Sequence, residues 1–385
     1  MSHAPPPPGR PPRLAVLLDP RDENAPSMDL SGEQLVDALH DWPAEVDVSP
    51  VQLRMPRLAR SIPRVGSRHA ALNADRLIGR FLAAEVSTLN ARRGHDLFHV
   101  VDHVYAHLVR ALPAGRAGVY CHDLDAFRSV LQPTEYPKPA WFRRMTMATL
   151  RGVEQAAVVF HSTRAVGAEL LAHSVVDPAR LVHAPYGVGT EFGPVPGARD
   201  PHVLQVAGTC GSPYLLHVGS ALPRKRIDVL LDVFARVRRS HPGLLLVQQG
   251  AAFDEPLRAQ VDRLGLADAI RQPSRLDRAG LAVLYRNAAA VLVTSESEGF
   301  GLPVIEALAC AAPVVASDIP VLREVGGDAC TYCPVGNLDQ WAEDVLRVIT
   351  GGAAPPTTAR LAQAARYTWT AHARTVLDSY RPLAS

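Results

Sequence analysis

Lysine is almost missing from this chain. Of its 40 basic residues only Lys138 and Lys225 are lysines, and the other 38 are arginine. Where arginine is the default cation, a lysine is a local choice of a compact point charge over a flat fork. Cysteine is sparse too: five in 385 residues, an odd number that argues against a disulfide framework. Cys330 and Cys333 form a C-x-x-C with no second pair and no histidine at zinc-finger spacing, so they read as structural or incidental. No run of eighteen apolar residues occurs, so no segment reads as a membrane span. No strand-to-helix turn early in either half carries G-x-G-x-x-G, which argues against a dehydrogenase. The opening MSHAPPPPGRPPR lacks the apolar centre of a signal peptide; residues 1–12 read as a disordered Pro-rich tail, and the chain is expected in the cytoplasm.

What is present points to a two-domain globular protein. Apolar residues make up 47% and the charges nearly cancel, and 385 residues exceed one ordinary core. Short apolar runs at 13–19, 96–102, 117–123, 156–162 and 180–187 alternate with helical patterns. Ser31 and Gln34 stand as a capping box before the helix 31–41. The second half repeats the scheme, with strands at 214–220, 244–250, 290–295 and 313–318 and a helix at 227–243. Continuous apolar strands alternating with helices predict α/β architecture, with parallel sheets covered on both faces. The expected division is 13–200 for the N-terminal Rossmann-like domain, 201–213 for a linker and 214–365 for the C-terminal domain, with 366–385 a final segment.

The stretch SESEGFGLPVIEALA, 295–309, carries the chemistry. It reads as a loop at the carboxyl end of a parallel strand, the edge where open α/β sheets bind ligands. Gly299 and Gly301 permit unusual backbone angles. Pro303 suits a first helical turn, so a helix begins near Leu302 and its free amides attract an anion. Glu298 from the loop and Glu306 from the helix can flank one ligand, each carboxylate accepting hydrogen bonds from sugar hydroxyls. The plainer alternative makes Glu306 an early-helix acid favoured by the dipole and Glu298 a loop charge. A second constellation, VGSALPRKRID at 218–228, places Gly219 after a strand and Arg224, Lys225 and Arg226 before a helix. It reads as a diphosphate site or as a solvated basic loop.

Together these segments resemble the retaining glycosyltransferases of the GT-B fold, family 4. SESEGFGLPVIEALACAAPVVAS is similar to that family's E-x7-E signature, and YLLHVGSALPRKRIDVLLDVF to its strand–Gly…Arg-Lys–helix element. The resemblance is dense over about 212–335 and weaker in the first half, where AGVYCHDLDAFR is similar to a strand ending in a His-Asp loop. RYTWTAHARTVLDSY, 366–380, resembles a C-terminal helix that crosses back to the first domain. The resemblance implies two Rossmann-like domains facing across a cleft. It implies that Glu306 holds the donor ribose and Glu298 contacts the donor sugar. The amides around Phe300, Gly301 and Leu302 would face the sugar or diphosphate, with Gly219 allowing close backbone approach. Arg224 and Lys225 would neutralise the leaving diphosphate, and His122 would sit near the donor sugar. The family's glycine-rich loop after the first strand is replaced by DPRDENAPSMDLSG, leaving Asn24, Ser27 and Met28 as acceptor-side candidates.

The expected activity is metal-independent transfer, with retention, of a sugar from a nucleotide-sugar to a glycan, lipid-linked or small-molecule acceptor. The nucleotide-sugar is a substrate, no cofactor or metal is required, and no nucleic-acid partner is expected. Asp123-Leu-Asp125 is a D-x-D, a triplet that arises often by chance. The alternatives are a nucleotide-sugar epimerase or hydrolase on the same fold, and a non-catalytic sugar-binding partner of another transferase. The stretch 51–80 holds seven arginines and one acid, Asp75. It reads as a solvated surface loop, or as a lip for an anionic membrane at the inner face, extended by Arg143 and Arg144 beside Trp141 and Phe142.

Overall fold

A computed structural model of the chain describes residues 10–21, 26–56, 58–59, 61, 69–274, 276–352 and 354–384. They fall into two compact units. The first contains the described residues up to Tyr186 and those from Trp369 onward; the second is Gly187–Thr368.

The first unit is built on a parallel sheet of β1 (Arg13–Leu18), β2 (Asp47–Gln52), β3 (Leu97–Val100), β4 (Ala117–Cys121), β5 (Val158–His161) and β6 (Leu181–His183), in the order β2-β1-β3-β4-β5-β6. β3, β4 and β5 are buried along their whole length, the mark of strands covered on both faces. The second sheet is also parallel. It contains β7 (Tyr214–Gly219), β8 (Leu245–Gly250), β9 (Ile270–Arg271), β10 (Ala290–Val293), β11 (Val314–Ser317) and β12 (Thr331–Cys333), in the order β12-β11-β10-β7-β8-β9. The helix Ile227–Ser240 shows how sequence dictates this packing. Ile227, Leu230, Leu231, Phe234 and Val237 recur at helical spacing, and all are buried in the second core. Each such side chain contributes roughly 1.5–3 kcal/mol on burial.

In each sheet the strand order reverses direction between two neighbours, β1 and β3 in the first and β7 and β10 in the second. The crevice outside the carboxyl ends of such a pair is where open α/β sheets take ligands. The segments after β7 and β10 are the two that carry the second unit's motifs.

Several expectations change. Residues 201–213 are not a linker. Asp200–Val206 is a helix inside the second unit, and Asp200 pairs with Arg286 at 3.0 Å, both side chains 10% exposed. The division falls at Tyr186–Gly187 instead, at the start of YGVGTEFGPVPG, a stretch carrying Gly187, Gly189, Gly193 and Gly197. Ser31 caps nothing: the helix runs Pro26–Leu39, and the Ser31 hydroxyl donates to the Met28 carbonyl within it. A proline suited to the first turn starts this helix earlier than the serine suggested. The described chain is already anchored at Arg10, which pairs with Asp96 at 2.9 Å, so the tail does not extend to residue 12; residues 1–9 lie outside the described part. Three strands escaped the sequence reading, and all three are edge strands. β2 contains Pro50, which edge strands tolerate, and β9 and β12 have two and three residues.

The helix Trp369–Tyr380 belongs to the first unit and completes its core. Tyr380 donates to the Phe98 carbonyl at 2.8 Å and lies 3.1 Å from His99 Nδ1. His372 approaches the carbonyls of Ala184 and Pro185 at 3.1 Å. Burial pushes His99 down to about 3 and His372 to about 4, reinforced by neighbouring imidazoles. His122 is held at about 4, again chiefly by burial. Groups with depressed values contribute stability that is complete above their ordinary pKa of 6.5 and is lost as the pH falls toward the folded value. Hydrogen exchange in Trp369–Tyr380, corrected for intrinsic rates, is therefore expected to lose protection between pH 7 and pH 5. Equal protection at both values would refute the assignment.

Candidate active site

β7 ends at Gly219, and the chain turns through Pro223–Lys225 before the helix Ile227–Ser240. β10 ends at Val293, and the chain passes Thr294–Gly301 before the helix Leu302–Ala309. Because β7 and β10 are hydrogen-bonded neighbours, these two turns emerge side by side. That topology joins residues 73 apart in sequence. Lys225 Nζ donates to Glu298 Oε1 at 2.6 Å, and Arg224 reaches Glu298 Oε2 at 3.3 Å and the Ser297 carbonyl at 2.9 Å. Ser295, 1% exposed, donates a third bond to Glu298 Oε1 at 2.7 Å.

Glu298 is 9% exposed. Burial works against its ionisation, but the charges of Lys225 and Arg224 and the bonds from Lys225 and Ser295 overcome it and hold the carboxyl below its ordinary value. His217, in β7, lies under this pair and is driven down to about 3, first by burial and then by the charge of Lys225. It stays neutral beside the cation. Gly219 gives it room, since a Cβ there would stand 3.2 Å from the His217 ring.

Glu306 has different company. It is 6% exposed, accepts from the Tyr285 hydroxyl at 3.0 Å, and has Arg278 at 3.9 Å. Arg278 is itself paired with Glu191 and stacked over Phe192 at 5.0 Å. Burial raises the Glu306 carboxyl to about 7; Arg278 and Tyr285 oppose the shift, and Glu191 adds to it. An exposed early-helix acid is thus excluded. The helix does start at Leu302. Gly301 takes φ 94°, where a side chain would strain the backbone and a Cβ would lie 2.8 Å from Leu322. Phe300 turns its ring inward against Tyr367, 5.7 Å between centroids, leaving backbone as its contribution to the loop surface.

The structure thus brings Arg224, Lys225 and Glu298 into direct contact and gives Glu306 a separate set of partners on the helix that follows the same loop. Ser295, His217, Tyr285, Arg278 and Glu191 went unnoticed in the sequence. Only Ser295 had a signal, a hydroxyl three residues before the glutamate it holds.

In the first unit, His122 is 5% exposed. Its Nε2 donates to the Val101 carbonyl at 2.8 Å, and its Nδ1 bonds the Tyr186 hydroxyl. Both ring nitrogens are therefore engaged within the unit. Asp102, His103 and His122 place potential ligand atoms within 4.8 Å of one another, the one such group among the described residues. His103 Nδ1 already accepts from the His122 amide at 3.3 Å, and Asp102 accepts from the Val104 amide. The D-x-D closes on itself, Asp123 Oδ1 accepting from the Asp125 amide at 3.0 Å. Asp318 pairs with Arg323. Cys330 and Cys333 are buried free thiols.

Of the acceptor-side candidates, Asn24 lies outside the described residues, and Ser27 and Met28 sit in the first turn of the helix Pro26–Leu39. A cavity of about 460 Å³ opens beyond β1 and β2, with Arg21, Gln52 and Arg54 over a floor of Leu53, Met55 and Ala83. Of the basic stretch 51–80, Arg57, Arg60, Arg64 and Arg68 lie outside the described residues. Arg80 stacks 5.2 Å over Tyr105, and Asp75 is buried and accepts from the Ala59 amide, so this part is packed rather than a free loop.

A parallel α/β unit with two cations and two buried carboxylates at its switch point defines a class, and the chain belongs to the glycosyl transferases group 1 family, whose model matches residues 208–368. Among its relatives is a D-inositol 3-phosphate glycosyltransferase of Kineococcus radiotolerans, 30% identical over 407 aligned positions that cover 95% of this chain and 92% of the relative. The fold is that of the GT-B glycosyltransferases. Sucrose-phosphate synthase from Thermosynechococcus elongatus superposes with a TM-score of 0.75 at 20% identity, covering 97% of this chain and 99% of that one. Anabaena HepE in complex with UDP-glucose gives 0.68 at 16%, covering 96% and 100%. No helix among the described residues is long and apolar enough to cross a membrane.

Tyr285→Phe removes the hydroxyl that serves the buried Glu306. It is expected to cost about 1–3 kcal/mol in urea unfolding, more at pH 8 than at pH 6, because the ionised carboxylate needs the donor more. A loss independent of pH would contradict the pairing.

Proposed function

We propose that this glycosyltransferase moves a sugar from a nucleotide-sugar to a glycan, lipid-linked or small-molecule acceptor, with retention at the anomeric carbon and without a metal. The observation that carries the proposal is the convergence of Lys225 and Arg224 on Glu298 at the β7/β10 switch point. Breaking the bond between the anomeric carbon and a phosphate oxygen leaves negative charge on the diphosphate. Cations fixed beside it stabilise that charge more in the transition state than in the ground state. In the free protein Glu298 holds both cations in place. An incoming diphosphate shares them, and Glu298 keeps the lysine aimed while its carboxylate meets the sugar. The amides of Gly301 and Leu302 add their dipoles. Glu306, buried at the other end of the loop, suits a ribose whose vicinal hydroxyls can donate to it.

Solved relatives of the same fold support the donor class, HepE having been crystallised with UDP and with UDP-glucose. The relatives named D-inositol 3-phosphate glycosyltransferase support a compact polyol acceptor, for which the cavity beyond β1 and β2 has the volume and the arginines. Leu58, Leu82 and Val86 are all at least 60% exposed and offer apolar side chains to an anionic lipid surface. Flotation with anionic but not neutral vesicles is the expected result, and flotation with neither ends that idea.

A thermal-shift screen of UDP-, GDP- and ADP-sugars identifies the donor. Turnover with that donor, followed by NMR of the anomeric proton and repeated with EDTA, tests transfer, retention and metal independence together. Release of free sugar without a glycosylated product would favour the hydrolase reading. Lys225→Ala is expected to lower turnover about 10²-fold or more with the fold intact; near-normal turnover would remove the diphosphate role. Nucleoside-diphosphate affinity should weaken as pH falls through about 7, where Glu306 takes a proton, and Glu306→Gln should abolish that dependence.

A further inference from the structure

The turn that presents Lys225 is held open by the strand beside it. Arg226 has φ 50° and ψ 49°, the left-handed region that a side chain rarely adopts, and it forms the entry to the helix Ile227–Ser240. Three successive carbonyls of this turn accept hydrogen bonds from the segment that continues β10. The Glu296 amide donates to the Arg224 carbonyl at 2.9 Å. The Thr294 hydroxyl donates to the Lys225 carbonyl at 2.9 Å and is shared with that of Arg226 at 3.2 Å. The Arg226 guanidinium closes the latch on Glu296 at 3.2 Å and Asp228 at 3.0 Å. Thr294 is 1% exposed, and its hydroxyl bonds the backbone of Lys225. Its neighbour Ser295 bonds Glu298. Two adjacent hydroxyls thus fix the two halves of one ion pair, Thr294 the backbone of the lysine and Ser295 the carboxylate.

We propose that Thr294 is a positioning residue, its hydroxyl setting the left-handed turn that aims the Lys225 ammonium at Glu298 and at the diphosphate. Serine at this position keeps the bond; valine keeps the shape and the β-branch but removes the donor, leaving the Lys225 carbonyl without this partner. The inference rests on the reading of Lys225 as a diphosphate ligand for its meaning, but its geometry can be tested without any donor.

The scarcity of lysine supplies the probe. Lys138 is exposed and Lys225 is largely buried against Glu298, its side chain 12% exposed, so the two form an internal pair. Competitive labelling of the full-length protein with a lysine-selective acylating reagent, read by peptide mass spectrometry, gives the ratio of their rates. In the wild type Lys225 should react at least 10-fold more slowly than Lys138. Thr294→Val should raise the Lys225 rate about 5-fold or more with Lys138 unchanged, and Thr294→Ser should restore the wild-type ratio. Thermal unfolding of each variant separates local release from general loosening, which would raise both rates. An unchanged Lys225 ratio in Thr294→Val overturns the proposal, and so does a ratio that Thr294→Ser fails to restore. Loss of glycosyl transfer in every variant including the wild type would instead count against the proposed function, leaving the labelling result to stand.

Discussion

The 2.6 Å contact between the Lys225 ammonium and the Glu298 carboxylate is the constraint around which the second unit is organised. Burying two charges removes hydration that their attraction only partly restores, so such a pair is a poor source of stability. What it gives is definition of place. The lysine cannot swing into solvent, and the carboxylate cannot be protonated without releasing it. Arg224, Ser295 and the neutral His217 surround the pair with partners that favour that one arrangement. For a site proposed to meet a developing charge, preset geometry is worth more than attraction, because nothing has to reorganise when the bond breaks.

The same loop and the helix that follows it show how environment separates two chemically similar groups. Glu298 and Glu306 are both buried carboxylates eight positions apart, yet one is held below its ordinary pKa and the other raised to about 7. The difference is the distance of the cation. Lys225 touches Glu298, while Arg278 stands 3.9 Å from Glu306 and is already committed to Glu191. Two acids displaced in opposite directions eight residues apart are the kind of asymmetry that functional sites display.

The parts of this architecture that could be read from sequence were those governed by period and by local chemistry. Buried central strands declared themselves as apolar runs, and Gly301 with Pro303 marked the start of a helix because few other residues serve there. The short edge strands β9 and β12 gave no period to read, and Pro50 disguised β2. Long-range geometry was the harder limit. That Arg224 and Lys225 serve Glu298 follows from the order of strands in the sheet, which spacing along the chain does not encode. Tyr285 and Arg278 lie on an amphipathic helix where a tyrosine and an arginine look ordinary; only burial beside Glu306 gives them meaning. The linker was misplaced for a related reason: the buried Asp200–Arg286 pair that anchors the helix Asp200–Val206 is invisible locally.

The route of the chain between the units has a temporal consequence. The second unit is one uninterrupted length, Gly187–Thr368, whereas the first takes its closing helix from beyond it. On the ribosome, Phe98, His99 and Ala184 emerge long before the Tyr380 and His372 that pack against them. The nascent first unit must therefore wait, its core unsealed, until the whole of the second has been synthesised and can collapse ahead of it. The portion translated earlier is the portion finished later, and an arrest of synthesis after Thr368 would strand a complete second unit behind an incomplete first.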